Sequence, residues 1–114
     1  DEVLFALLDH FPSLGLCLDT GHLGISGNWE KIKAYLPRVS ALHLHDNKGV
    51  EDLHLIPGYG DLPLKEWLAG IPREVAYHLE ITRFMSPFYS GMKEEEYLRR
   101  AKDSLERLKA EHEE

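Results

Sequence analysis

Three short apolar segments, each ending in ionisable residues, constrain the fold of this 114-residue chain most strongly. They are LGLCLD at 14–19, VSALHLH at 39–45 and EVAYHLEI at 74–81. Their length and their content of large or β-branched apolar residues are typical of β-strands. Helical patterns separate them, and strands that alternate with helices predict parallel βαβ units.

Four segments predict helices around these strands, and the loops 47–61 and 82–92 connect the later elements. The predicted helices are 2–10, 29–36, 62–69 and 93–114. His10 and His112 fall within them and are interpreted as ordinary surface residues. The last helix has one apolar face, formed by Tyr97, Ala101, Leu105 and Leu108.

The two faces of each predicted strand differ, because successive side chains point in opposite directions. One face is bulky and apolar, whereas the other carries small residues early and an ionisable residue late: Asp19, His43 or Glu80. A (β/α) barrel places its chemistry at the carboxyl ends of its strands, but it needs about eight of them. We therefore expect an α/β fold, a partial TIM barrel in which residues 1–114 form three parallel strands with helices. The open edges would be covered by a missing barrel half or by self-association.

The ionisable residues at the strand ends suit a metal. Asp19, His43 and Glu80 together form a carboxylate–imidazole–carboxylate set, which suits a divalent cation such as zinc or manganese. A cluster this dense predicts more than one metal, or one metal with acid/base groups for a substrate. Four further candidates lie close in sequence: His22, His45, Asp52 and His54.

Simpler interpretations exist for several of these positions. Asp19 could cap a following helix, and Asp46 could form an Asx-turn. His45 could be a ligand, a substrate contact or a solvated residue at the rim. His78 is more simply a hydrogen-bonded core histidine, and Cys17 an inert packing residue buried in its strand.

Composition narrows the functional classes. A net charge of −7 disfavours nucleic acid as a partner. The single cysteine excludes an internal disulfide and favours the cytoplasm. The sequence contains no apolar run of 18 residues that would predict a membrane span, and no signal peptide is visible at its start.

Four motifs in this order resemble the xylose isomerase-like TIM barrel superfamily, which includes sugar isomerases, epimerases and endonuclease IV. They are LDTGH at 18–22, ALHLHDNKG at 41–49, DLHLIPGYGD at 52–61 and HLEI at 78–81. The resemblance covers about residues 14–111 and implies that the strands are the last three of a full barrel. The family's first five strands, with a further Glu ligand, have no counterpart in this sequence.

The resemblance also implies roles for individual residues. Asp19, His43 and Glu80 correspond to metal ligands in both branches of the family, and Glu80 doubles as the catalytic acid/base in epimerases. His22 corresponds to a substrate contact in epimerases. In endonuclease IV-like members, further metals are bound at the positions of His22, Asp52 and His54. The resemblance implies no role for His45.

Three functional hypotheses follow. The first is a divalent-metal-dependent sugar or sugar-phosphate isomerase or epimerase, whose small-molecule substrate would bind at the rim. The second is an endonuclease IV-like zinc phosphodiesterase acting on abasic DNA, which the acidic charge disfavours. The third is a non-catalytic barrel fragment. In each case we expect the 114-residue chain alone to be inactive.

Overall fold

The computed structural model describes residues 2–84 and 87–113. Within these ranges, β1 (Leu16–Asp19), β2 (Val39–Leu44) and β3 (Ala76–Leu79) form one parallel sheet in the order β1-β2-β3. This confirms the expected α/β architecture of three parallel strands with helices. Each strand is shorter than its predicted segment.

The helices follow the predicted order with one addition, α2, which lies directly after β1. The α-helices are α1 (Glu2–His10), α2 (Thr20–Ser26), α3 (Trp29–Ile32), α4 (Leu64–Leu68) and α5 (Glu94–Glu113). Short 3-10 helices cover Lys33–Arg38 and Pro87–Tyr89. The predicted helix end at Glu114 and the middle of the predicted loop 82–92, at residues 85 and 86, lie outside the described residues.

Two local features explain where these helices differ from the prediction. Asp19 accepts a hydrogen bond from the backbone N–H of His22 at 2.9 Å, which caps α2. The segment 29–36 leaves the α-helical conformation at Lys33, four residues before Pro37. Proline has no N–H, and its ring would clash with the carbonyl four residues earlier.

The apolar strand faces form the main core, as their alternation predicts. Leu16, Leu18, Leu42 and Leu44 are buried there against the helices. A register irregularity shifts the start of β2, because Leu16 pairs with Val39 whereas Cys17 pairs with Ala41. Val39 is therefore buried although strict alternation would place it on the opposite face.

The opposite face of the sheet is open in the described structure. Cys17, which we expected to be buried, is exposed on it. His78 is also exposed instead of being a hydrogen-bonded core residue. Both predictions were wrong for the same reason, because no described element packs over this face.

Helix α5 closes the core with the predicted stripe, of which Tyr97, Ala101 and Leu108 are buried. His112 extends this stripe and is also buried, so its prediction as a surface residue was wrong. Its Nε2–H donates to the Ile71 carbonyl at 2.7 Å, and its Nδ1 accepts from the hydroxyl of Tyr77. A histidine with two internal partners is satisfied without solvent.

Helix α1 is fixed at its carboxyl end by Arg38. The guanidinium donates to the carbonyls of Leu8, Phe11 and Leu14 at 2.8, 2.8 and 2.7 Å, respectively. A cation at this position also interacts favourably with the helix dipole. In residues 2–84 and 87–113, no helix is both long enough and apolar enough to cross a membrane.

Candidate metal centre

The first candidate group consists of Asp19, His43 and Glu80. Asp19 and His43 are direct register partners on β1 and β2. The register partner of His43 on β3 is His78, so Glu80 lies two residues beyond that row. Its backbone N–H continues the ladder by donating to the Leu44 carbonyl at 3.0 Å. The longer side chain of Glu80 compensates for this offset.

The ligand atoms of this group are close enough to share one ion. One oxygen or nitrogen from each residue lies within 4.8 Å of the other two. His43 Nδ1 and Glu80 Oε1 are 3.5 Å apart, a separation that suits two ligands each about 2.1 Å from one cation. All three side chains are partly exposed, which leaves room for a further ligand or a substrate. The donor set therefore fits zinc or manganese.

A second group lies beside the first and consists of His45, Asp52 and His54, whose ligand atoms also lie within 4.8 Å of one another. His22 approaches this group from α2, with its Nε2 3.3 Å from Asp52 Oδ2. His54 Nε2 is 3.2 Å from the same oxygen. Asp52 Oδ1 is buried and has no hydrogen-bond partner among the described residues. A buried acceptor without a donor is suited to binding a cation.

The backbone and side chain of His54 are both held in place. Its Nδ1–H donates to the Glu80 carbonyl at 2.8 Å, and its Nε2 faces Asp52 Oδ2 at 3.2 Å. Metal-ligating histidines are commonly oriented by such a bond. Its backbone φ of 51° lies in the left-handed region, which is uncommon for residues other than glycine. Such strain is concentrated at functional sites.

The charge environment of His54 favours its protonated form in the absence of a cation. Burial alone would lower its pKa, but the hydrogen bond to the Glu80 carbonyl and the charge of Asp52 raise it above the ordinary value. The surroundings of the His54 ring thus stabilise a positive charge.

His45 is fully buried, at 0% exposure, so the interpretation as a solvated rim residue was wrong. Its Nε2 lies 2.7 Å from Asp19 Oδ1, and its Nδ1 lies 3.7 Å from Asp52 Oδ1. His45, a member of the second group, therefore contacts Asp19 of the first group as well as Asp52 of its own.

Asp46 organises the loop that carries Asp52 and His54. Its carboxylate is completely buried, and backbone atoms of Asp46 also bridge to Leu55 in both directions. This arrangement is more extensive than the Asx-turn suggested by the sequence. The carboxylate accepts four backbone N–H groups at 2.8 to 3.1 Å, those of Asn47, Gly58, Gly60 and Leu62.

Cys17 and His78 flank the first group without joining it. The ring of His78 lies edge-on to that of His43, with centroids 5.8 Å apart. Partial burial, together with the charges of Asp19 and Glu80, raises the pKa of the Cys17 thiol. A thiol with a raised pKa is a poorer nucleophile. The predicted burial of Cys17 was wrong, and its chemical inertness stays a prediction.

Comparison with known proteins places this geometry in context. The sequence profile of the xylose isomerase-like TIM barrel family matches residues 2–78. The crystal structure of a D-tagatose 3-epimerase-like protein superposes with a TM-score of 0.62 at 25% sequence identity. The match covers 87% of this chain and 34% of that protein, so the chain spans about a third of its length. A search of curated proteins returned no match.

Proposed function

Because the chain belongs to the xylose isomerase-like TIM barrel family, we propose that it supplies part of a divalent-metal-dependent sugar or sugar-phosphate isomerase or epimerase. One observation carries the proposal: Asp19, His43 and Glu80 bring their ligand atoms within 4.8 Å of one another at the carboxyl ends of three parallel strands. The likeness to the D-tagatose 3-epimerase-like protein supports a sugar as the substrate class.

Asp19, His43 and Glu80 would hold the metal, and Asp52 and His54 would hold a second one. A bound zinc or manganese ion supplies Lewis-acid polarisation of a substrate carbonyl. Polarisation makes the proton on the adjacent carbon acidic enough for a carboxylate to remove.

In this proposal, Glu80 moves that proton and His22 orients the substrate. The side chain of Glu80 is 41% exposed, so one carboxylate oxygen can face a substrate. Delivery of the proton by Glu80 to the neighbouring carbon, with the hydroxyl proton passing to the former carbonyl oxygen, would complete an isomerisation. An epimerisation would instead need a second acid that protonates the same carbon from its opposite face. His22 is 66% exposed at the mouth of the site and could bind a sugar hydroxyl.

We propose further that residues 1–114 are the last three βα units of a longer barrel. The unpaired edges of β1 and β3 would then be covered by the preceding strands, or by a second copy of the chain. On this view the chain alone lacks a ligand and an acid/base group and is inactive. The single cysteine favours a cytoplasmic location.

A zinc phosphodiesterase is the second candidate, and one observation favours it. His22 and His54 both approach Asp52 Oδ2, at 3.3 and 3.2 Å, which resembles a site for an additional cation. The net charge of −7 opposes binding to a DNA backbone.

The metal content of the purified chain tests the first step of the proposal. Elemental mass spectrometry should find zinc or manganese near one equivalent or above, with a clear loss in Asp19→Ala and in Glu80→Ala. His78→Ala is the matched control, because this exposed histidine neighbours the group without belonging to it. An intact chain without metal would contradict the proposal.

Ligand-observed NMR with the manganese-loaded chain then separates the two functions. Paramagnetic broadening of a ketohexose such as D-tagatose would support the isomerase proposal. Broadening of an abasic-site oligonucleotide, with the ketohexose unaffected, would support the phosphodiesterase instead.

A further inference from the structure

The buried imidazole of His45 lies between the two candidate metal groups. Its Nε2 is 2.7 Å from Asp19 Oδ1 on one side, and its Nδ1 is 3.7 Å from Asp52 Oδ1 on the other. The side chain is completely shielded from solvent.

Several contacts show that the space around this ring is built for an imidazole. The hydroxyl of Thr20 donates to the His45 carbonyl at 2.7 Å and accepts from its N–H at 3.1 Å, which fixes the backbone. The ring stacks on that of His54, with centroids 4.1 Å apart and planes 5° from parallel. A Cβ atom at Gly21 would lie only 1.9 Å from His45 Cε1. Position 21 therefore requires glycine if the ring is to stay there.

The hydrogen bond between His45 and Asp19 has a defined direction. An ionised carboxylate only accepts, so Nε2 carries the proton and donates it to Oδ1. The same oxygen also accepts the backbone N–H of His22 at 2.9 Å. Two donors thus occupy Oδ1, whereas Oδ2 has only a longer contact, 3.5 Å to Nδ1 of His22, and is the oxygen more accessible to a cation.

The stacking geometry argues against His45 as a ligand of the second group. Imidazole nitrogens bind metals through lone pairs that lie in the ring plane. Because the rings of His45 and His54 are stacked in parallel planes, one ion cannot lie in the plane of both. His45 Nδ1 is buried without a hydrogen-bond partner among the described residues and lies 3.7 Å from Asp52 Oδ1, whereas His54 Nε2 lies closer to Asp52, 3.2 Å from Oδ2.

We propose that His45 is a positioning residue that orients Asp19 for metal binding and does not itself bind the metal. This inference rests on the proposed metal-dependent function. Outer-shell partners of this kind typically change metal affinity by roughly 10- to 100-fold.

Zinc titration of the full chain by calorimetry tests the inference, together with His45→Gln and His45→Leu. The binding step that Asp19→Ala removes identifies the first group. Glutamine can still donate an N–H to Asp19 but offers no imidazole lone pair, whereas leucine can do neither. We expect leucine to weaken zinc binding at the first group by roughly 10- to 100-fold and glutamine to recover most of that loss.

Two additional variants distinguish a loss of the positioning contact from a general loss of folding. Gly21→Ala should displace the ring and weaken zinc binding as leucine does, while leaving both Asp19 and His45 in the sequence. His10→Gln, on an exposed part of α1, is the matched control and should bind zinc like the native chain. In the metal-free native chain, nitrogen NMR should show the proton of His45 on Nε2.

The possible outcomes are distinguishable. If His45→Leu binds zinc as tightly as the native chain, the inference is wrong and the proposed function is unaffected. If glutamine and leucine lose affinity equally, and the visible spectrum of bound cobalt changes in both, His45 is a ligand and the positioning role is refuted. If the native chain itself binds no zinc, the proposed metal site and this inference both fail.

Discussion

Replacing the buried carboxylate of Asp46 should have the largest effect among the polar substitutions considered. Oδ1 accepts the N–H groups of Asn47 and Leu62, and Oδ2 accepts those of Gly58 and Gly60. In Asp46→Asn one of these oxygens becomes an NH₂ group. Whichever way the amide is oriented, two backbone N–H groups then face a donor.

The magnitude follows from those two lost acceptors. A buried donor left without a partner costs about 1–3 kcal/mol, so two of them predict a loss of about 3 kcal/mol after partial relaxation of the loop. Small domains are stable by about 5–15 kcal/mol in total, so this loss would be a large share of the free energy of unfolding.

Urea denaturation followed by circular dichroism measures this loss, and amide hydrogen exchange locates it. Exchange should accelerate at Gly58, Gly60 and Leu62 before the strands are affected, because these N–H groups lose their acceptor first. Asp61→Asn is the matched control, because this acid is exposed; its effect should stay within about 0.5 kcal/mol. A loss below about 1 kcal/mol in Asp46→Asn, or unchanged exchange at these glycines, would refute the reasoning.

The remaining predictions concern the main core, the end of α1 and the buried hydroxyl of Tyr97. Leu42→Ala, at 0% exposure in the main core, should lower the free energy of unfolding by about 2–5 kcal/mol in urea denaturation. Arg38→Ala should cost about 2 kcal/mol, because three carbonyls lose a charged donor, and limited proteolysis should then release α1 first. Tyr97→Phe should stabilise the fold by about 1 kcal/mol, because it removes a buried hydroxyl that has no partner in the described structure. Burial raises the pKa of Tyr97 to about 12, so the folded chain retains a proton that the unfolded chain loses above about pH 10. Stability should therefore fall as the pH rises from 10 to 12, less so in Tyr97→Phe, as urea midpoints at each pH would show.

The sheet and the proximity of the three side chains in the first group could be predicted because they depend on local patterns. Alternation along each strand identified the faces of Leu42 and His43, and parallel strands bring their carboxyl ends to one edge of a sheet. Those two facts were sufficient to bring Asp19, His43 and Glu80 together. The register offset of Glu80 was not predictable, because the pairing of β2 with β3 places His78 opposite His43, and alternation within a strand does not fix the register between two strands.

The remaining features depend on residues that are distant in sequence. The burial of His45 requires the space left by Gly21, and the role of Asp46 requires the return of the chain at Gly58. His112 lies 41 residues from the carbonyl of Ile71 that it contacts. Gly21 is the sequence feature that could have indicated the burial of His45, since a glycine near a helix N-terminus can mark a close approach by another group.

The side chain of Thr20 extends the hydrogen bonding between β1 and β2 by one residue beyond the end of their backbone pairing. Its hydroxyl both donates to and accepts from the backbone of His45, so it fills the place of a peptide group in a neighbouring strand. A hydroxyl oxygen can do both, whereas valine of nearly the same shape would leave two buried backbone groups unpaired. We therefore expect Thr20→Ser to preserve the stability of the fold and Thr20→Val to lower it. A single oxygen atom thus links the carboxyl end of β1 to the residue that directly follows β2.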